Sequence, residues 1–168
     1  ADRRAVGAFD PLSIQYTSGT TGRPKAVVWT HANALWGGKV NAAHEGLSDA
    51  DVTLVFPPLF HTNAQAYSVL ATLWVGGSFV LQPRFSSSRF WDVSLRNRCT
   101  FASQLYFTLR ALAGMEAPDQ HYYRLWGTGI CDHPIALDRF GVSTIGWWGM
   151  TETISHPIIG DTAVPNMA

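Results

Sequence analysis

The residues with most chemistry to offer lie in the run Tyr16-Thr17-Ser18-Gly19-Thr20-Thr21-Gly22-Arg23-Pro24-Lys25. It sets hydroxyls and two glycines ahead of Lys25, one of only two lysines in the chain with Lys39. Glycines let a backbone turn its N–H groups toward one point, and hydroxyls add donors that tolerate close approach. A closing lysine supplies a point charge with three donors for an oxyanion. The combination suits a polyphosphate. It is not a Walker A loop, which needs G-x-x-x-x-G-K-[ST] opening into a helix. Here Lys25 leads into the strand-like stretch Ala26-Val27-Val28-Trp29.

A second run, Trp147-Trp148-Gly149-Met150-Thr151-Glu152-Thr153, carries different chemistry. Adjacent indoles offer a flat face to a nucleobase, and Gly149 permits close backbone approach. Thr151 adds a hydroxyl. Glu152 is a hard oxygen ligand suited to Mg²⁺ beside phosphates. The plain alternative is a buried strand end.

Elements must position these runs, and strand-like and helix-like segments alternate along the chain. Leu12–Thr17 and Ala26–Trp29 read as strands around the glycine loop, with Leu12, Ile14 and Tyr16 alternating on the first. Thr30 can cap a helix over His31–Glu45, weakened in its middle by Gly37-Gly38. Val52–Phe56 is a short strand stopped by Pro57-Pro58, and Asn63–Val75, apolar nearly all round, a buried helix. Further strands are expected at Ser78–Leu81, Thr100–Ser103, Tyr122–Gly127 and Ser143–Trp148. Helices are expected from Ser86 through Arg98 and over Leu105, Leu109 and Leu112 to near Gly114. The alternation predicts an α/β fold, a mixed sheet flanked by helices. In such sheets ligands collect beyond the carboxyl ends of strands. Four loops qualify: Thr17–Lys25, Pro57–Asn63, Gly127–Asp132 and Gly149–Thr153.

The chain has 168 residues, 46% hydrophobic and 14% charged, against about 25% charged in an ordinary soluble domain. A low charge fraction fits surfaces covered by more protein. Lys plus Arg equals Asp plus Glu at 12 each, so nothing indicates a nucleic-acid partner. No apolar run approaches a membrane span, and Cys99 and Cys131 have no metal or disulfide spacing. A reduced, cytoplasmic setting is the expectation. Both ends look cut.

Taken together the motifs resemble those of the adenylate-forming superfamily of acyl-CoA synthetases, luciferases and peptide-synthetase adenylation domains. Tyr16–Lys25 is similar to that family's phosphate loop, Y-T-S-G-[ST]-T-G-x-P-K. Thr30-His31-Ala32-Asn33 is similar to its T-H-x-N, Pro57-Pro58-Leu59-Phe60-His61 to its P-x-F-H, and Trp148–Glu152 to its Y-G-x-T-E. Gly127-Thr128-Gly129 falls where the family has a glycine turn against the nucleotide. The resemblance implies that a carboxylate attacks the α-phosphate of ATP, giving an acyl-adenylate and pyrophosphate, and that coenzyme A then takes the acyl group. It implies ATP, Mg²⁺ and coenzyme A as cofactor and co-substrates, and a small carboxylic acid as substrate. Lys25, His61 and Glu152 would be catalytic. Thr17, Ser18, Gly19, Thr20, Thr21, Gly22 and Lys25 would hold phosphates; Gly127, Thr128, Gly129, Trp147, Trp148, Gly149, Met150 and Thr151 would meet the nucleotide. Glu152 and Thr17 would hold the metal, and Trp148 would stack on adenine.

The departures define further expectations. Ala26 replaces the usual glycine, and Trp148 replaces a tyrosine. Nothing after Glu152 resembles the ribose-holding segment, and neither Lys25 nor Lys39 stands for the catalytic lysine of the small C-terminal domain. Residues 1–168 are therefore expected to be a fragment of the large AMP-binding domain, lacking an N-terminal part and the C-terminal domain, and weak alone. The acyl pocket is expected near Asn63, Gln65, Tyr67, Trp147 and Ile154, favouring a short or medium acyl chain. Alternatively, Ile130-Cys131-Asp132-His133 receives a polar acyl group such as a betaine. A module loading a carrier-protein thiol and a non-catalytic nucleotide binder remain the other function classes. His61 either borders the substrate or only shapes the pocket. His44, His121, His133 and His156 read as structural or exposed; Phe60, Trp74, Trp126 and Trp147 as core or pocket wall.

Overall fold

The computed structural model describes residues 5–18 and 22–161. Two strands, β1 (Pro11–Thr17) and β2 (Lys25–Thr30), pair antiparallel as a separate sheet, with Thr17 opposite Lys25. Helix α1 (His31–His44) follows directly. Thr30 caps it, and Asn33 returns a hydrogen bond to the cap, a reciprocal pair that satisfies the first exposed amides. The paired glycines inside α1 have a packing reason: a Cβ on Gly38 would come within 2.8 Å of the Leu70 carbonyl.

The main sheet has six strands in the order β4-β3-β5-β6-β7-β8. These are β3 (Val52–Val55), β4 (Ser78–Leu81), β5 (Phe101–Ser103), β6 (Leu125–Thr128), β7 (Thr144–Trp148) and β8 (Ile158–Ile159). All neighbours run parallel except β7 and β8, so the expected mixed sheet is present. Helices α2 (Ala71–Trp74), α3 (Ser87–Arg96), α4 (Tyr106–Ala113) and α5 (Pro134–Phe140) complete the crossovers.

Strand alternation divides the core between the two faces. Ala102 and Trp126 pack with Phe90 and Trp91 of α3, Leu109 and Leu112 of α4, and Phe140 of α5. Phe101 and Leu125, one residue before them, face Ala42 of α1 and Ala71 of α2. At the edge toward α1, Asp51 receives two hydrogen bonds from the Arg124 guanidinium, at 2.7 and 2.8 Å. Burial alone would raise the Asp51 carboxyl, but donors from Arg124, Thr100 and Ser48 outweigh it and hold the pKa at about 2.

Several elements differ from expectation. The segment after His61 is π-helical over Asn63–Leu70 and becomes α-helical only at Ala71. Helix α5 and strand β8 have no counterpart among the expected elements. On β1 the apolar Leu12, Ile14 and Tyr16 are exposed, whereas Gln15 is buried. Trp74 is also exposed, at 46%, rather than core or pocket wall, and Phe60, at 79%, is exposed and lines a separate small cavity with Pro57 and Pro83.

Candidate functional site

Because β3, β5, β6 and β7 are parallel, the segments after them emerge at one edge of the sheet. They enclose a cleft of about 450 Å³. Its lining takes His61, Thr62, Asn63 and Tyr67 from beyond β3, Gln104, Leu105 and Tyr106 from beyond β5, and Thr128 and Gly129 from the end of β6. The end of β7 and its turn add Trp147, Trp148, Gly149, Met150 and Thr151.

Eight of the sequence-derived site residues thus meet at one cleft: His61, Thr128, Gly129, Trp147, Trp148, Gly149, Met150 and Thr151. Gly127 lies below it, since any Cβ there would enter the Trp147 ring. Glu152 sits on the exposed turn just past Thr151. Thr17, Ser18, Gly22 and Lys25 sit at the far end of the β1–β2 hairpin, and Gly19, Thr20 and Thr21 lie outside the described residues.

The two indoles do not form one flat face. Successive strand residues point to opposite sides. Trp148 is 54% exposed with its ring open to the cleft mouth, while Trp147 stacks on His156 at 4.2 Å and 14°. Trp147 is wall and Trp148 is the open surface. Likewise the close approach at Gly149 is to the Tyr67 hydroxyl, which a Cβ would displace. Burial, reinforced by nearby Glu45, pushes the Tyr67 phenol up to about 12, so it remains a donor at neutral pH.

Of the five expected pocket neighbours, Asn63, Tyr67 and Trp147 line the cleft. Gln65 instead accepts from Gln15 at 2.6 Å, and Ile154 is packed with Trp29 and Ala34. Asp132 is exposed and lines neither the cleft nor the smaller cavity of about 260 Å³ beside Ile130 and His133.

Two residues that no motif indicated hold the Thr151–Glu152 turn. Trp29, near the end of β2, is 2% exposed, and its indole N–H donates to the Thr151 carbonyl at 2.9 Å. Asn41 of α1 is fully buried; its amide donates to the carbonyls of Ala66 and Ile154 and accepts from the His156 N–H. Ile154 has φ of 55°, a left-handed conformation unfavourable for a β-branched residue, and the Asn41 bonds hold it there. Trp29 had a partial advance signal, a large apolar residue in the strand after the glycine loop, and Asn41 had none.

Below Trp147 and Tyr67 lies a fully buried Glu45 and His156, their nearest polar atoms 3.9 Å apart with no hydrogen bond to either group. Burial pushes Glu45 well above the carboxylate range, against a smaller opposing pull from Arg124, and brings His156 down to about 3 with help from His44. His156 is therefore neutral near pH 7. Of the other histidines expected to be structural, His121 stacks on Trp91 and His133 caps α5.

Comparison with known proteins fits this geometry. The family model described as "AMP-binding enzyme" matches residues 2–166. The chain belongs to this family. Crotonobetaine/carnitine–CoA ligase of Salmonella paratyphi C is 34% identical over 164 residues, covering 94% of this chain and 32% of the relative. The same-named protein of an Escherichia coli strain is 36% identical over 160 residues, covering 90% and 31%. The chain therefore spans about a third of the length of these curated relatives. Among solved structures, O-succinylbenzoate coenzyme A synthetase of Bacillus subtilis in complex with AMP superposes with a TM-score of 0.80 at 27% identity, over 94% of this chain and 42% of that one. The same enzyme with ATP and magnesium ion gives 0.81 at 26% identity, over 94% and 34%.

Proposed function

We propose that the chain is the nucleotide-binding part of an AMP-forming acid–CoA ligase. The observation that carries this reading is one tether: Trp29, four residues beyond Lys25, bonds the carbonyl of Thr151, the residue before Glu152. A polyphosphate-type hairpin and a carboxylate-bearing turn are thereby fastened together beside the cleft.

In this reading a carboxylate attacks the α-phosphate of ATP, and the acyl-adenylate forms as pyrophosphate leaves. Lys25 is exposed at the hairpin end, and its ammonium would hold the departing phosphates. The open ring of Trp148 would carry the adenine, and Thr151 would donate to the nucleotide. His61 is exposed beside the cleft; its Nδ1 accepts from the Asn63 N–H, which fixes the ring, and Nε2 would meet the substrate. The thiol of coenzyme A then attacks the acyl carbonyl and AMP leaves. This is catalysis by placement and charge.

Among the described residues no group of three or more His, Cys, Asp or Glu is arranged for a metal. A lone carboxylate still fits Mg²⁺, which commonly takes one or two carboxylates and completes its shell with phosphates and water. Glu152, exposed and without a hydrogen-bond partner among the described residues, would hold it with the Thr17 hydroxyl. The ion would neutralise phosphate charge.

The acid named in the relatives is a betaine, and we carry that class over as the lead substrate. The cleft supports it with the rings of Tyr67, Tyr106 and Trp147, since aromatic faces attract quaternary ammonium groups. The enzyme would act in the cytoplasm. A larger chain would cover the apolar face of Leu12, Ile14, Tyr16 and Val28, which is exposed here, and would supply the small C-terminal domain. The test is isotope exchange between pyrophosphate and ATP, using a chain of the relatives' length that includes this sequence. Exchange dependent on an added carboxylate is expected. Nucleotide binding without exchange for any acid would leave a binder, not a ligase.

A further inference from the structure

Two of the rings that line the cleft, Tyr67 and Trp147, share one support that does not line it, His156. The imidazole lies flat on the Trp147 indole, with ring centres 4.2 Å and planes 14° apart, and leans on the Tyr67 phenol at 4.0 Å and 52°. His156 is 1% exposed, so it meets both rings from the side away from the cleft. Its backbone is fixed independently, since its N–H donates to the buried Asn41 at 3.2 Å. Its ring nitrogens bond nothing among the described residues, and the Glu45 carboxyl stops 3.9 Å away. A buried histidine kept for hydrogen bonding would be bonded. What this side chain gives its neighbours is a flat face in a fixed place.

The outer ends of the two rings are seated against glycines. A Cβ on Gly127 would enter the Trp147 indole, and one on Gly149 would meet the Tyr67 hydroxyl. Each ring is therefore held at its tip by a glycine notch and from behind by His156. Without the imidazole, both rings have buried space to fall back into, because a close-packed interior leaves a cavity where a side chain is cut. Trp148 is the next residue along β7 and points to the opposite side of the strand, so the surface assigned to adenine is not backed by His156.

We propose that His156 is a positioning residue for the acid: its ring, rather than its basicity, holds Tyr67 and Trp147 where a bound acid meets them, and it leaves the nucleotide side untouched. This role rests on the adenylation reading, which supplies the acid, and adds the residue that sets the wall against it.

The test is pyrophosphate exchange by a chain of the relatives' length, with crotonobetaine, butyrate and benzoate as probe acids. For the acid that exchanges best, His156→Ala should raise KM by about 10-fold, a change of about 1.4 kcal/mol and the size of one aromatic contact, with the KM for ATP unchanged. His156→Phe restores a flat ring and removes only nitrogens that bond nothing, so it should return the acid KM to near the unmutated value. Loss of overall stability alone would lower the urea midpoint and leave both KM values where they were. Where His156→Ala does not fold, His156→Leu, which keeps volume without a flat face, takes its place in the comparison with His156→Phe. A rise in the KM for ATP equal to that for the acid overturns the proposal. So does His156→Phe as impaired as His156→Ala, which would mean that the nitrogens are needed. Exchange with none of the acids, nor with any other carboxylate, overturns the adenylation reading and this inference with it. Exchange whose acid KM is blind to residue 156 overturns the inference alone.

Discussion

Behind Trp148 and Thr151 stand parallel strands with packed helices on both faces, and large side chains such as Trp126, Phe101 and Leu54 that are fully buried. Behind Lys25 stand two strands that bury one residue each, Gln15 and Trp29. Both of those residues are tethers: Gln15 to Gln65 of the π-helical segment, and Trp29 to the Thr151 carbonyl. The cleft wall is thus held by area, and the phosphate-side hairpin by a few directed bonds. Area is lost in large steps when a core side chain is cut, whereas a directed bond is lost in small steps but at a chosen atom. The two halves of the site should fail in different ways.

The largest effect is expected in the sheet. Trp126→Ala empties the centre of the main core and should cost about 3–5 kcal/mol of stability, read as a lowered urea midpoint. A loss below about 1 kcal/mol, the size of a surface change, would mean the core is not the support it looks like. Next comes the hairpin end. Lys25→Ala should leave the urea midpoint unchanged yet reduce carboxylate-dependent exchange by about 100-fold or more, as removal of one well-placed charge-stabilising donor does. ATP affinity should fall more than AMP affinity. Equal falls would place Lys25 away from the outer phosphates.

The buried Glu45–His156 pair under the cleft gives a pH signature. His156 has its pKa lowered to about 3 from 6.5, so between those values the unfolded chain binds the extra proton and stability drops as pH falls. Glu45 has its pKa raised above 4.5, so above that value the folded chain holds the extra proton and stability drops as pH rises. Between pH 4.5 and 6.5 the two contributions oppose each other. Glu45→Gln should expose the histidine slope across that window, up to about 1.4 kcal/mol per pH unit, and His156→Phe should expose the opposite slope. Flat difference curves in both variants would contradict the directions of both shifts. The smallest change is Trp29→Phe, which removes one donor from the hairpin tether. About 1 kcal/mol of stability should go, together with a raised Mg²⁺ requirement for exchange. Wild-type Mg²⁺ dependence in that variant would show that the tether does not position Glu152.

Motif chemistry was legible wherever the relevant atoms are close in sequence. Thr30 capping α1 and the succession of strands along the chain followed from local rules, and so did His61 and Thr151 at loop positions. Helix α5 was missed although its local signals are ordinary: His133 as cap, Pro134 at the first turn and Gly141 in the left-handed conformation at its end. What stayed hidden needed partners distant in the chain. The alternation of Leu12, Ile14 and Tyr16 indicates a strand but not which side is covered, and the covered side proved to be Ser13, Gln15 and Thr17. Gln104 carries no motif, and only the adjacency of β3, β5 and β6 makes it a wall of the cleft.

By itself the sequence determined the α/β alternation, the family and the residue types available for phosphate, base and metal, because backbone propensity and short-range spacing are encoded locally. Tertiary structure alone decided which indole is open, where Trp29 and Asn41 fasten the Glu152 turn, and which ring stands behind Trp147. Those outcomes depend on hydrogen bonds between residues more than 100 positions apart, and on which face of each strand the helices cover.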